Sequence, residues 1–306
     1  MPLFAPQARM VNDKNVAFTA TTRNWMNRGL GIVGLKINTT RVDRAEDSRL
    51  RSLVARGHWS TPRFAAGLQF DNEKYLLFLT EVCLPYRDQY ATWPRTQAEA
   101  PSGFYLNNVW FGAVDAEVLY SIVRSYKPKT IVEVGSGFST RVISRAISDG
   151  DLRTCLRSID PLPRVEIKQY VQEQTQTPIE ELDPVEVAHS FKPNDILFID
   201  SSHTVTNGGD VPFLFLEVVP RLPAGVLIHV HDIFLPFDYP QEWIVSNGWK
   251  WNEQYLVQAL IYGSNTLEIL WPAYYMWRTC PSELQKVISP EAGTFGPSSL
   301  WLRKCA

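Results

Sequence analysis

The sequence predicts an α/β fold: a doubly wound, mostly parallel sheet with helices on both faces. Three observations carry this. Short apolar runs of strand length alternate with helix-spaced segments from about residue 106 onward. One run, Thr130-Ile131-Val132-Glu133-Val134, enters a Gly135-Ser136-Gly137 turn that opens directly into a helical pattern. Polar residues mass at the carboxyl ends of two later runs, where open parallel sheets bind ligands.

Taken in order, residues 1–105 read as a mainly helical N-terminal extension, a cap or a subunit interface. Residues 29–37 are a glycine-rich apolar patch and 41–56 a charged helical pattern, broken by 57–62. Helical spacing resumes over 71–86 through Tyr75, Leu76, Leu79 and Val82, with Asp71 as N-cap and Pro85 as stop. A loop rich in Pro, Thr and Ser follows at 91–103. The sheet-bearing domain is placed at 106–306, starting with a helix over 115–126. Strands are expected at 130–134, 154–159, 185–188, 195–199 and 225–231, with helices at 139–147, 164–174 and 211–219. A helix at 253–262, a strand at 266–271 and a final strand at 298–302 complete the chain.

Bulk properties exclude several classes. A net charge of −2 without a Lys/Arg-rich stripe offers nothing to nucleic acid or an anionic membrane. Cys83, Cys155, Cys280 and Cys305 are far apart with no Cys-x-x-Cys pair, which argues against a disulfide scaffold or zinc ribbon and fits a reducing cytoplasm. No apolar run approaches the ~18 residues of a membrane span. A soluble, cytoplasmic protein is expected, with residues 1–105 available for homo-oligomer contacts.

The glycine turn is selective in what it omits. A dinucleotide fingerprint wants a third glycine where this chain has Thr140, and a phosphate loop wants a Lys that the turn lacks. What remains is Glu133 just before the turn and a polar Ser139-Thr140 helix start. This resembles motif I of the class I S-adenosylmethionine-dependent methyltransferases. The resemblance implies a Rossmann-like methyltransferase sheet with an antiparallel last strand. It also implies a cofactor seat at Glu133, Gly135, Ser136, Gly137, Ser139 and Thr140. Asp160 ends the next strand 25 residues beyond Gly135, where an acid can accept both ribose hydroxyls.

The later runs end in Asp200-Ser201-Ser202-His203 and His229-Val230-His231-Asp232, which gather three of the five histidines at one rim. These segments resemble a bacterial methyltransferase group that includes macrocin O-methyltransferase and cephalosporin hydroxylase relatives, over residues 105–306. That resemblance implies a divalent cation, Mg2+ or another, on Asp200 and Asp232, with His231 as the further ligand this chain offers. Asp200 also borders the cofactor. His231, at the rim, is the preferred general base and His203 the other candidate, with Asp232 beside them. His229, one step inside, reads as a hydrogen-bonded core residue. Asp210 is read as a helix N-cap, His189 as a neighbour of the adenine, and Phe237 and Tyr239 as walls of an acceptor pocket.

The expected function is methyl transfer from S-adenosylmethionine to a small molecule, at oxygen, with a His base and divalent-metal assistance. Two alternatives remain at this stage. Two histidines and a carboxylate at one rim are also the ligand set of a non-haem iron oxygenase or hydroxylase. A binding protein that keeps the cofactor pocket without catalysis is the other.

Overall fold

A computed structural model describes residues 25–28, 30, 40–101, 103–263, 265–288 and 295–305. The chain divides into two compact units, 1–58 and 59–306. In the first, the charged pattern forms helix α1 (Thr40–Ala55). The glycine-rich patch lies, apart from Leu30, outside the described residues. No helix among the described residues is long and apolar enough to cross a membrane.

The second unit holds the sheet. Its strands are β1 (Thr130–Val134), β2 (Cys155–Ile159), β3 (Glu173–Thr175), β4 (Ile196–Ile199), β5 (Leu227–Val230), β6 (Leu267–Pro272) and β7 (Leu300–Lys304). They are ordered β3-β2-β1-β4-β5-β7-β6, with β7 antiparallel to both neighbours. The expected α/β, mostly parallel sheet with an antiparallel last strand is present. Strands β1, β4 and β5 are buried almost without alternation, as strands covered on both faces must be. The order reverses between β1 and β4, and that reversal opens the crevice that holds the site.

Helix α2 (Asn72–Phe78) starts at Asp71, whose carboxylate accepts the Lys74 amide, as the sequence predicts. Pro85 does not stop the chain's helical course. A π-helical turn (Leu79–Cys83) and a 3-10 turn (Leu84–Tyr86) carry it past the proline, which sits where no amide hydrogen is needed. Segment 59–105 shares the core of the sheet. Phe78 stacks on Trp271 at 5.1 Å, and the Tyr90 hydroxyl donates to the Val287 carbonyl. Helix α3 (Asp115–Tyr126) matches its expected bounds and leads into β1. Helix α4 (Phe138–Asp149) follows the glycine turn.

Two expected elements are corrected. Residues 185–188 are not a strand but part of helix α5 (Pro184–His189). Asp183 caps it by accepting the Val185 amide, and Pro184 occupies the first turn. That start signal outweighs two β-branched valines. Residues 164–174 are not a helix. The segment ends in edge strand β3, paired in parallel with β2 and fastened by an Arg157–Glu173 ion pair of 2.6 Å. The run over 210–221 is helical in three successive forms, and Gly209, not Asp210, is its N-cap. Helices α6 (Glu253–Gly263), α7 (Ala273–Thr279) and α8 (Pro281–Val287) complete the unit.

Candidate active site

The glycine turn fits against the end of β4. Gly135 has φ +79, and a Cβ there would stand 2.0 Å from the Asp200 carbonyl oxygen. Only glycine allows both the backbone angle and the approach. Gly137 differs: its φ is 177, and nothing lies within 4 Å of where a Cβ would project. Its lack of a side chain leaves open space and serves no backbone need.

Glu133 is fully buried at the floor of the turn. Its two oxygens accept the hydroxyls of Ser139 and Thr140, each at 2.6 Å, and Thr140 Oγ1 in turn accepts the Gly137 amide. This explains why Thr140 stands where a dinucleotide site has its third glycine: the hydroxyl closes the turn on the buried acid. Burial pushes the Glu133 carboxyl up to about 8 against the pull of both hydroxyls.

Asp160, at the end of β2, faces the same crevice. Oδ2 accepts the Ser136 amide and Oδ1 the Leu162 amide, both at 2.8 Å, which fixes the carboxylate and leaves each oxygen a further lone pair. Gly135, Ser136, Asp160 and Asp200 line one cavity of about 490 Å³, with Leu162, Ile179 and Asp210 among the other walls. That volume lies within the roughly 300–1,000 Å³ of small-molecule sites.

Beside the cavity, His203 joins the acids of two strands. Its Nε2 lies 3.3 Å from Asp200 Oδ1 and 3.5 Å from Asp232 Oδ2, and its Nδ1 lies 2.9 Å from Glu253 Oε2. One ligand atom from each of Asp200, His203 and Asp232 falls within 4.8 Å of the others, a donor set of the right type for a divalent cation. Both His203 (φ +59) and Asp232 (φ +55) hold the left-handed backbone that L side chains rarely adopt. Such strain, about 1–3 kcal/mol per residue, tends to collect at functional sites.

The electrostatics follow from this crowding. Burial opposes charge on His203, but hydrogen bonds to Asp200 and Glu253 and the charge of Asp232 win, raising its pKa well above the ordinary value. Burial would likewise raise Asp200, yet the His203 hydrogen bond and the charges of His231 and His203 pull it down to about 2. His231 is buried, with Nε2 3.7 Å from Asp232 Oδ1 and the Phe111 ring 5.2 Å away. Its pKa is raised by Asp232, Asp200 and Asp115, against burial.

Of the sequence-predicted residues, the fold brings the turn, Asp160, Asp200, His203, His231 and Asp232 to one edge of the sheet. His229 is in the core, hydrogen-bonded to Ser299 Oγ and stacked on Phe198 at 3.8 Å. Asp210 accepts the amide and hydroxyl of Ser202 as well as the Val211 amide, so from the first turn of its helix it ties the β4 loop to the helix start. His189 is exposed at the end of α5 and is not a cavity wall. Phe237 and Tyr239 are buried and do not line this cavity: Phe237 packs under Arg278, and the Tyr239 hydroxyl accepts the Gln254 amide.

Sequence reasoning missed three residues. Glu253 is wholly buried against His203, and Asp115 is buried with its oxygens on the Ser298 and Ser299 amides. Ser298 Oγ donates to Asp232 Oδ1. The available signal was the isolated acid at the start of each of two helices, which reads equally well as an ordinary helix-dipole residue.

Residues 132–233 match a family described as a methyltransferase domain. No curated protein matches the chain. Among solved structures, an O-methyltransferase from Bacillus cereus in complex with S-adenosylhomocysteine is similar at 13% identity and a TM-score of 0.39, over 82% of this chain and 99% of that one. An S-adenosylhomocysteine-bound methyltransferase from Podospora anserina is similar at 12% identity and a TM-score of 0.39, over 89% and 98%. These likenesses are remote. The matched segment contains Gly135, Asp160, Asp200, His203 and Asp232.

Proposed function

We propose that this protein is an S-adenosylmethionine-dependent methyltransferase that transfers a methyl group to a hydroxyl of a small molecule. We place it near the bacterial group of macrocin O-methyltransferase relatives. The observation that carries this reading is the meeting of the Gly135 turn and the Asp200–His203–Asp232 cluster on either side of Asp200, beside one cavity.

The residues fit both S-adenosylmethionine and a divalent cation. For the cofactor, there is a cavity of suitable volume, an open space over Gly137 and the fixed Asp160 carboxylate. When bound, S-adenosylmethionine supplies a methyl group already activated on a sulfonium. Asp160 would accept the ribose hydroxyls, while the Gly135–Gly137 backbone would seat the methionine part. Glu133, Ser139 and Thr140 hold that backbone in shape. A divalent cation would be held by Asp200 and Asp232, and it would supply a lower pKa to an acceptor hydroxyl.

His203 is the better base of the two. Its Nε2 lies 3.3 Å from Asp200 and 3.5 Å from Asp232, whose charge a bound cation would offset so that the ring could release and take a proton, whereas His231 Nε2 stands farther off, 3.7 Å from Asp232. In this scheme His203 Nε2 takes the acceptor proton. The fixed groups align acceptor and methyl, an effect worth ~7–11 kcal/mol in favourable cases. The test is incubation with S-adenosylmethionine, magnesium and a panel of hydroxylated small molecules, with mass spectrometry of the products. A methylated product with stoichiometric S-adenosylhomocysteine supports the reading. Stoichiometric iron in the purified protein and hydroxylated products would favour the oxygenase instead.

A further inference from the structure

We propose that Ser298 is a positioning residue for the cation centre: its hydroxyl holds the Asp232 carboxylate so that one oxygen, Oδ2, is presented to the ion. The inference rests on the reading of Asp200 and Asp232 as cation ligands, and Ser298 lies outside the matched methyltransferase segment.

The antiparallel last strand brings Ser298 to this place. Strand β7 pairs with β5 in a register that ends at Val230↔Leu300. Two further steps, from Val230 to Asp232 and back from Leu300 to Ser298, bring these two residues opposite each other. There Asp232 turns out of the strand with φ +55, and the regular ladder has ended. Ser298 supplies two bonds in its stead. Its carbonyl accepts the Ile233 amide at 2.8 Å, and its hydroxyl donates to Asp232 Oδ1 at 2.9 Å. The left-handed residue is thus held through its own side chain and through the amide that follows it.

Ser298 is itself anchored. It is buried, and its amide and that of Ser299 donate to the two oxygens of Asp115, at 2.8 and 3.1 Å. Asp115 is buried at the start of α3, so the serine's backbone is fixed to the helix that leads into the sheet. The two oxygens of Asp232 therefore have different surroundings. Oδ1 is committed to Ser298, and Oδ2 is turned into the cluster, 3.5 Å from His203 Nε2.

Carboxylates that ligate a metal are held by outer hydrogen bonds of this kind, and losing one costs ~10–100-fold in metal affinity. Magnesium feels the loss because it demands near-ideal octahedral geometry. Without the Ser298 hydroxyl, the Asp232 carboxylate is free to rotate, and the ion must order it on binding.

The test is calorimetry of magnesium chloride titrated into the full chain, as wild type, Ser298→Ala and Ser298→Cys. S-adenosylhomocysteine affinity is measured on the same samples. Ser298→Ala should bind magnesium ~10–100-fold more weakly. Ser298→Cys, close in size but a weaker donor, should fall between Ser298→Ala and the wild type. S-adenosylhomocysteine should bind all three alike, because Gly135 and Asp160 do not depend on Ser298. On the acceptor found by the product screen, Ser298→Ala should need ~10–100-fold more magnesium for half-maximal turnover. Its turnover at saturating magnesium should stay near the wild type.

Wild-type magnesium affinity in Ser298→Ala overturns the inference. If that variant does not fold, wild-type affinity in Ser298→Cys does the same. An equal loss of magnesium and S-adenosylhomocysteine affinity also overturns it, since the serine would then support the whole sheet edge. A wild-type chain that binds no magnesium removes the cation reading itself, and the inference with it. The titration requires no acceptor, so failure of the methyl-transfer reading is seen separately, in the product screen.

Discussion

Gly135 and Asp200 are in contact through their backbones: a Cβ on Gly135 would stand 2.0 Å from the Asp200 carbonyl oxygen. The turn after β1 and the rim after β4 are thereby locked together. Gly135→Ala should cost stability before any ligand is added, through both the clash and φ +79. Gly137→Ala should melt near the wild type while weakening S-adenosylhomocysteine binding. Thermal denaturation paired with calorimetry checks this, and equal melting of the two variants would refute the contrast.

Asp160→Ala should weaken S-adenosylhomocysteine binding by ~1.5–3 kcal/mol, the worth of hydrogen bonds to a charged acceptor. It also strips the Ser136 amide of its acceptor, so the loss includes loosening of the turn. Calorimetry showing unchanged affinity would remove Asp160 from the cofactor site.

Glu133 gives a pH dependence. Its carboxyl rises from 4.5 to about 8 on folding, so the folded chain holds this proton more tightly than the unfolded one. The associated stability is fully present below 4.5 and is lost as pH climbs through about 8. Glu133→Gln should flatten that decline, since an amide can serve both hydroxyls without ionising. Melting temperatures across the range, in the absence of cofactor, decide it.

His203→Ala should lower turnover ~10²–10⁴-fold, the usual range for a lost general base, with S-adenosylhomocysteine affinity nearly intact. His231→Ala should cost less, because its ring stands farther from the carboxylates, with Nε2 3.7 Å from Asp232 Oδ1. A larger loss at His231 than at His203 would restore the preference that the sequence suggested.

Asp200→Asn addresses the cation. If Asp200 is a ligand, excess magnesium should recover part of the lost turnover by mass action. If no magnesium concentration helps, Asp200 acts without the ion. Turnover measured against magnesium for both proteins separates the cases.

Residues 130–134, the Gly-x-Gly turn, Asp160 and the two polar strand ends were readable in the chain because they are local. A strand period, a turn requirement and a helix start each span only a few residues, and together they determined the sheet, its ligand edge and the histidine-acid rim. Local signals also conflict. Val185 and Val187 favoured a strand that Asp183 and Pro184 turned into a helix, and the helical spacing of 164–174 yielded to pairing with β2. Only the tertiary structure decided which atoms meet. It buried His229 against Ser299, drew Asp210 to Ser202, set Phe237 and Tyr239 in the core, and brought Glu253 to the back of His203 across 50 residues. Those pairings arise because a buried polar group must find a partner wherever packing delivers one, and periodicity along the chain does not record that choice.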